Sequence, residues 1–357
     1  MRKHPEESSL FAGCFCIYFY RAKARSFLSA EFADKKMHCG LAGGQRRACS
    51  SLGTFAFIFI GRKPGASCPP NLRTRRCTAD WREAKGGIPM KLFISADIEG
   101  CAGLSFTEET HKNEAVYQRY AEEMTREVVL VCEAAHAAGA DTIVVKDGHG
   151  DASNINPLAM PEYVTLIRGK SGHPYNMMFG LDETFDGVFF LGYHAAAGSP
   201  EFAVSHTSTG NSQYIRLNGR YMSEFMLNTY TAYSLGIPVL FLSGDEAVCR
   251  DARELAPHIA AAGIKHGTGG ATFCVPQSVV DRRLREAAGT AVENLKGSLI
   301  PAVALPDEFI YEVTYKDWKK AYQMSFYPGM ERVDRFTNRL KTEHWMEVVT
   351  AHSFVVY

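Results

Sequence analysis

The stretch Lys91-Leu92-Phe93-Ile94-Ser95-Ala96-Asp97-Ile98-Glu99-Gly100 (KLFISADIEG) decides the fold. Its first six residues read as a buried strand, and the chain turns polar abruptly at Asp97. The same punctuation returns three times. Residues 142–146 (TIVVK) stop at Asp147-Gly148-His149-Gly150, 187–192 (GVFFLG) at Tyr193-His194, and 239–243 (VLFLS) at Gly244-Asp245-Glu246. Between the first two runs, Tyr120, Met124, Val128, Val131 and Ala135 recur at helical spacing. They predict a helix over 117–138 that stops at Gly139, and another follows from Val248 to about Ala256. Apolar runs alternating with helices predict an α/β domain with a mostly parallel sheet and flanking helices. The carboxyl ends of such strands form the ligand crevice. Four strand ends therefore carry Asp97, Glu99, Asp147, His149, His194 and Asp245 toward one edge.

Outward from this frame, Ser205-His206 leads into two short runs, 214–217 and 220–222, around Asn218-Gly219, which is a strong hairpin signal. A helix over 223–235 carries Glu224 in its first turn, and another is expected over 278–296 after Pro276. Strand-like patches at 309–314 and 348–356 suggest a smaller C-terminal α+β lobe. The expected division is 90–260 for the catalytic α/β domain and 261–357 for the second lobe.

The first 89 residues look foreign to the rest. They carry 16 Lys+Arg against 6 Asp+Glu, whereas residues 90–357 carry 23 against 33, so a formal net charge of zero hides two opposed segments. Zero net charge argues against a nucleic-acid surface. Six of the ten cysteines (Cys14, Cys16, Cys39, Cys49, Cys68, Cys77) precede residue 90; the other four are far apart and unpatterned, which suits a reducing, cytoplasmic setting. Residues 10–20 (LFAGCFCIYFY) have signal-peptide length, but Glu6, Glu7 and the aromatic, cysteine-rich run speak against one. The run 55–60 is too short to span a bilayer. The sequence Lys85-Gly86-Gly87-Ile88-Pro89-Met90 back-translates to a bacterial ribosome-binding sequence about seven nucleotides before the Met90 codon. Translation is therefore expected to start at Met90, with 1–89 a non-native, disordered extension. The intact mass of the native protein decides the question.

Asp97 and Glu99, two residues apart, face the same side if strand geometry persists. Held together, two carboxylates raise one another's pKa unless a cation sits between them. With His149, His194 and Glu224 they make two imidazoles and three carboxylates, a mix that suits zinc or another first-row divalent ion better than calcium. Five donors exceed the need of one tetrahedral zinc; a carboxylate bridging two ions about 3.5–4 Å apart would use them all. Each residue also has a plainer reading. Asp97 could cap the next segment, Glu99 could be a solvated turn residue, and Glu224 a favourable charge in a first helical turn. His149 and His194 could be hydrogen-bonded structural histidines, and His206 an ordinary loop residue. Asp147 and Asp245 fit outer positions or turns as well as ligation. No C-x-x-C, Walker A, H-E-x-x-H or G-x-S-x-G motif is present. Gly267-Thr268-Gly269-Gly270 lacks the lysine of a phosphate loop.

Taken in order, Ser95-Ala96-Asp97-Ile98-Glu99-Gly100, Asp147-Gly148-His149, Leu191-Gly192-Tyr193-His194-Ala195, Ser205-His206, Ser223-Glu224 and Ser243-Gly244-Asp245 resemble the zinc-dependent D-aminopeptidase family from Met90 onward. The resemblance implies two zinc ions bridged by Asp97, with Glu99 and His149 on one and His194 and Glu224 on the other. It implies that His206 is the catalytic nucleophile or proton-handling group beside metal-activated water. It further implies short peptides with an N-terminal D-residue as substrates and a homo-oligomer of ten subunits in a chambered double ring. No membrane partner is expected. Two other readings stay open at this point: a two-metal hydrolase of another class, such as a phosphoesterase, and a non-catalytic peptide-binding α/β protein. The lack of an arginine near the motifs disfavours phosphate.

Overall fold

The computed structural model describes residues 89–297 and 300–357. The expectation for 1–89 lies outside the described residues, apart from Pro89.

Strands β1 (Lys91–Ala96), β2 (Thr142–Asp147), β3 (Val164–Ile167), β4 (Gly187–Tyr193), β7 (Val239–Asp245), β8 (Ala260–Thr268) and β9 (Ala271–Cys274) form one seven-stranded sheet in the order β3-β2-β1-β4-β7-β8-β9. Every pairing is parallel except β8 with β9. The winding reverses between β1 and β4: the chain moves outward from β1 through β2 to β3, then returns to the other side of β1. Such a reversal opens a crevice at the carboxyl ends of the two central strands.

The central strands β1, β4 and β7 are buried on both faces, and the pleat sorts their side chains. Leu92, Ile94, Phe189 and Leu191 pack with Met124, Val128 and Val131 of helix α1 (Tyr117–Ala137) and with Leu284, Ala288 and Val292 of α4 (Gln277–Gly297). Phe93, Val188, Phe190 and Leu242 pack on the opposite side with Phe225 and Ala232 of α2 (Glu224–Ser234) and Val248 and Ala252 of α3 (Glu246–Leu255).

A second, antiparallel sheet has the order β11-β12-β10-β5-β6. It joins the hairpin β5 (Ser212–Leu217) and β6 (Arg220–Tyr221) to β10 (Phe309–Tyr315), β11 (Met330–Arg332) and β12 (Thr337–Thr342). Ile215, Leu217, Tyr311 and Val313 of this sheet pack with Trp345, Val348 and Val355 of α6 (Trp345–Val355) and with Met226 and Leu227 of α2. Helix α5 (Trp318–Met324) lies beyond β10. Helix α2 thus contacts two cores at once, which explains why nearly all its residues are buried.

Two expectations need correction. The boundary at 260/261 does not separate the sheets: β8, β9 and α4 belong to the main sheet and its cover, while the second sheet takes its β5–β6 hairpin from mid-chain. The Ala- and Gly-rich sequence of β8 carries no β-branched signal beyond Ile264 and Thr268, so only its pairing with β7 reveals it. The patch at 348–356 is helical, not extended. Val348, Val349, His352 and Val355 fall on one side of a 3.6-residue period and are buried there, which overrides the β preference of the valines. The helices expected over 117–138, 223–235 and 278–296 form within a residue or so of those limits. Among the described residues no helix is long and apolar enough to cross a membrane, and Cys101, Cys132, Cys249 and Cys274 are free thiols.

Candidate metal centre

The reversal point brings together six of the eight residues singled out from the sequence. Asp97 and Glu99 follow β1, His149 follows β2, His194 follows β4, Glu224 opens α2, and His206 sits in the loop after β4. The segment after β1 continues alongside β4: Asp97 N–H donates to Leu191 O (2.8 Å) and Gly100 N–H to Gly192 O (2.7 Å). Two glycines permit this approach. Gly192 has φ +68°, and a Cβ on it would lie 2.3 Å from Asp97 O; one on Gly100 would lie 2.1 Å from Tyr193 O.

His149 Nδ1 lies 2.9 Å from Glu99 Oε2 and 3.4 Å from Asp97 Oδ1. His194 Nε2 lies 3.7 Å from the other oxygen of Asp97, Oδ2, and 3.6 Å from Glu224 Oε1. Asp97 therefore stands between two histidines, one carboxylate oxygen toward each. His206 Nε2 is 3.9 Å from Glu99 and 3.7 Å from Glu224, and its ring stacks on His194 with centroids 4.3 Å apart. The His206 side chain is 29% exposed and that of His149 14%, against 6% or less for the other four, so the cluster opens to solvent past these two histidines.

The far nitrogen of each histidine is committed to a backbone carbonyl: His149 Nε2 to Thr110 O (3.1 Å), His194 Nδ1 to Ala195 O (3.0 Å) and His206 Nδ1 to Val204 O (2.9 Å). A carbonyl only accepts, so each of these nitrogens carries the N–H, and the near nitrogen of a neutral ring is left as an acceptor. Three acceptor nitrogens converge on three carboxylates, which are acceptors too. Glu99 Oε2 and His194 Nε2 are buried without a hydrogen-bond partner. Only protons or cations can reconcile such a set, and histidines oriented from behind by carbonyls are arranged as metal ligands are.

The electrostatics follow. Burial, then the adjacent Glu99 charge, pushes Asp97 up to about 8. Burial also works against ionisation of Glu99, but His149 outweighs it and holds Glu99 well below the usual carboxylate range. For Glu224 the same burial is overcome by the neighbouring His194, 3.6 Å away, leaving it at about 2. Burial would lower both histidines; Glu224 nonetheless raises His194 to about 10, and Glu99 with Asp97 raises His149 well above its ordinary value.

Asp147 and Asp245 do not join the cluster; they hold its loops. Asp147 accepts from Asn154 N, Asn154 Nδ2 and Ile155 N, while Asn154 Nδ2 also donates to His149 O. Asp245 caps α3 through Ala247 and Val248 N–H and with its other oxygen accepts from Ala195 N, next to His194. Glu224 follows the N-cap Ser223, whose Oγ accepts from Met226 N–H, at the positive end of α2, and its Oε1 accepts from Ser208 N–H (2.6 Å).

One supporting residue escaped the sequence reading. Lys265 on β8 is buried, and its Nζ donates to the carbonyls of Glu99, Cys101 (2.7 Å) and Leu104 (2.9 Å), while the Phe202 ring lies 4.7 Å away. Glu127 of α1 accepts from Ala102 N–H (2.8 Å) in the same loop. A lone Lys between Ile264 and His266 carries no sequence signal for this role.

Comparison with known proteins agrees with the geometry. A family model described as D-aminopeptidase matches residues 90–354. A D-aminopeptidase of Bacillus subtilis strain 168 is 31% identical over 246 residues, covering 68% of this chain and 87% of its own length. The solved structure of the zinc-dependent D-aminopeptidase DppA from Bacillus subtilis, described as a self-compartmentalizing protease, matches with a TM-score of 0.70 and 28% identity over 75% of this chain and 97% of that one. With 265 consecutive residues matched by the family model, the chain belongs to the D-aminopeptidase family.

Proposed function

We propose that the protein is a binuclear zinc aminopeptidase that releases the N-terminal residue, of D configuration, from short peptides. The observation that carries this reading is the convergence of three acceptor nitrogens on the paired oxygens of Asp97, Glu99 and Glu224, with Asp97 directed to both sides. Asp97, Glu99 and His149 would hold one ion, and Asp97, His194 and Glu224 the other. His206 is equally near Glu224, and the tightest donor groupings are Asp97-Glu99-His149 and His194-His206-Glu224. We assign His206 to proton handling because it is the most exposed of the six and straddles Glu99 and Glu224.

Bound zinc would supply Lewis-acid polarisation of the scissile carbonyl and lower the pKa of water. The chain's own part is to orient and to move protons. Asp97 and Glu99 place negative charge where a free amino terminus can be held. His206, with Nδ1–H fixed on Val204 O, keeps Nε2 available to take a proton and return it to the leaving amine. The free thiols support a cytoplasmic setting. The exposed aromatics Trp318, Tyr322, Phe326 and Phe354 on the C-terminal lobe support assembly of several subunits into a chamber, a ring of ten by family resemblance.

Elemental analysis, light scattering and an assay of D-alanine release from D-Ala-D-Ala beside its L,L isomer test the reading on one preparation. About two zinc per subunit, a multi-subunit mass and D-selective release are expected. Two metals without peptide cleavage would transfer the site to another substrate class; no metal and no cleavage would leave only a binding crevice.

Proton competition gives a second expected result. Zinc must displace protons from His149, His194 and Asp97, whose pKa values are all raised. Raising the pH from 6 to 8 thins the protons that compete for these groups, so apparent zinc affinity should strengthen and uptake should release protons. Calorimetry in buffers of different ionisation enthalpy measures the release. Affinity independent of pH would contradict this account of the cluster.

A further inference from the structure

The C-terminal lobe meets the loop beside the candidate site through His352, Val356 and Tyr357, of which His352 is the buried polar side chain. His352 of α6 is 3% exposed. Its Nε2 lies 2.8 Å from Ser208 Oγ, and its Nδ1 lies 2.9 Å from the Tyr311 hydroxyl on β10. In a neutral imidazole one nitrogen donates and the other accepts, so Tyr311, His352 and Ser208 form a satisfied chain.

Ser208 itself is held in an unusual state. Its φ is +64°, in the left-handed region that a residue with a Cβ seldom adopts. Such a conformation costs on its own and persists where its surroundings over-determine it. In this conformation Ser208 N–H donates to Glu224 Oε1 at 2.6 Å, the same oxygen that faces His194 and His206. The neighbouring Thr207 is anchored separately, its Oγ1 donating to Met222 O and accepting from Ala197 N. The Tyr357 hydroxyl also meets the Ser208 side chain and Thr209 Oγ1 donates to Val356 O, so the support that the loop does not provide comes from the C-terminal lobe, with His352 its buried member.

We propose that His352 is a positioning residue: it holds Ser208 in the left-handed conformation, and Ser208 N–H in turn fixes Glu224 toward His194. The C-terminal lobe thereby sets the affinity of the Glu224 metal position and leaves that of the Glu99–His149 position alone, since neither Glu99 nor His149 touches the chain Tyr311–His352–Ser208. The inference rests on the two-zinc reading of the site, so its test has one arm that needs no metal.

The test compares wild type, His352→Ala and His352→Gln, each stripped of metal and titrated with zinc against a fluorescent chelator. Glutamine carries an N–H at about the reach of Nε2 and serves as the rescue. Wild type should bind two ions; His352→Ala should bind the first unchanged and the second about 10–100-fold more weakly, the usual cost of losing an outer partner of a ligand. His352→Gln should recover most of that loss. Equal weakening of both positions, together with a lowered melting temperature of the metal-free variant, would mean a purely structural role and overturn the proposal. Unchanged affinity at both positions would overturn it as well. Crystals of metal-free His352→Ala provide the second arm: Ser208 should leave the left-handed region and Glu224 lose its N–H. If both stay in place, the proposal fails whatever the zinc titration gives; if wild type binds no zinc, the binuclear reading fails and the movement of Ser208 and Glu224 still decides the role of His352.

Discussion

On the proposed two-zinc reading, replacing Asp97 with alanine should empty both metal positions at once and reduce peptide cleavage about a thousandfold or more. The size follows from where the residue stands. Oδ1 lies toward His149 and Oδ2 toward His194, so one substitution takes a ligand from each half and leaves two donors on either side. Loss of an outer partner costs about 10–100-fold in affinity or activity, and a shared ligand must cost more. The protein should still fold. Asp97 is a buried carboxyl that burial and Glu99 have pushed to about 8, so the metal-free protein gains little from its charge. The hydrogen bond that it accepts from Ile98 N–H is worth about 1 kcal/mol. The melting temperature of metal-free Asp97→Ala should therefore stay near that of metal-free wild type, while the stabilisation by added zinc, about 4 kcal/mol at a thousandfold excess over Kd, disappears. Glu224→Ala should behave differently, losing one ion and retaining the other. A variant Asp97→Ala that still carries two zinc ions would rule out the bridging role.

This separation between site and fold explains what could be read in advance. Asp97, His149 and His194 were legible because each follows a strand whose apolar run ends abruptly, and parallel sheets gather such ends at one edge. Glu224 was legible only as the first residue of a helix. Its plainer reading, a carboxylate at a helix N-terminus, is also true in the structure, because the same placement serves the cluster. Asp147 and Asp245 had two readings, and the hydrogen bonds select the supporting one. The discontinuous second sheet was not legible. The Asn218-Gly219 turn announced the β5–β6 hairpin, but its partner β10 begins some ninety residues later, and nothing local encodes that pairing. His352 was hidden for a related reason: it lies in a valine-rich segment read as extended, and it matters only through Ser208, 144 residues earlier in the chain.

Lys265 is the sharpest case of a residue whose importance the sequence conceals, and Lys265→Met, a change on β8, should strongly destabilise the loop that carries Asp97 and Glu99. A lone lysine reads as surface charge, yet this one is buried and spends all three ammonium protons on the carbonyls of Glu99, Cys101 and Leu104. Methionine keeps the apolar stem and removes the donors, so three buried acceptors lose their partner at about 1–3 kcal/mol each. The desolvation of the ammonium, which lowers the pKa of Lys265, offsets part of that loss. A net cost of about 3–5 kcal/mol is expected, as when one member of a buried charged network is removed. For a chain of this size that lowers the melting temperature by roughly 10 °C. Glu127 adds no stranded charge, because burial already raises it to about 8 and it can take up a proton once the lysine is gone. Lys265→Arg should not rescue, since a planar guanidinium cannot aim three donors at carbonyls gathered around a point. The loosened loop should weaken the Glu99–His149 position more than the Glu224 position, the reverse of the order expected for His352→Ala. Thermal melts of the metal-free variants and zinc titrations of each read both effects. If Lys265→Met melts like wild type and binds both ions equally well, the ammonium is merely accommodated under the loop, and the convergence of Asp97 and Glu99 depends on the contacts of β1 with β4 alone.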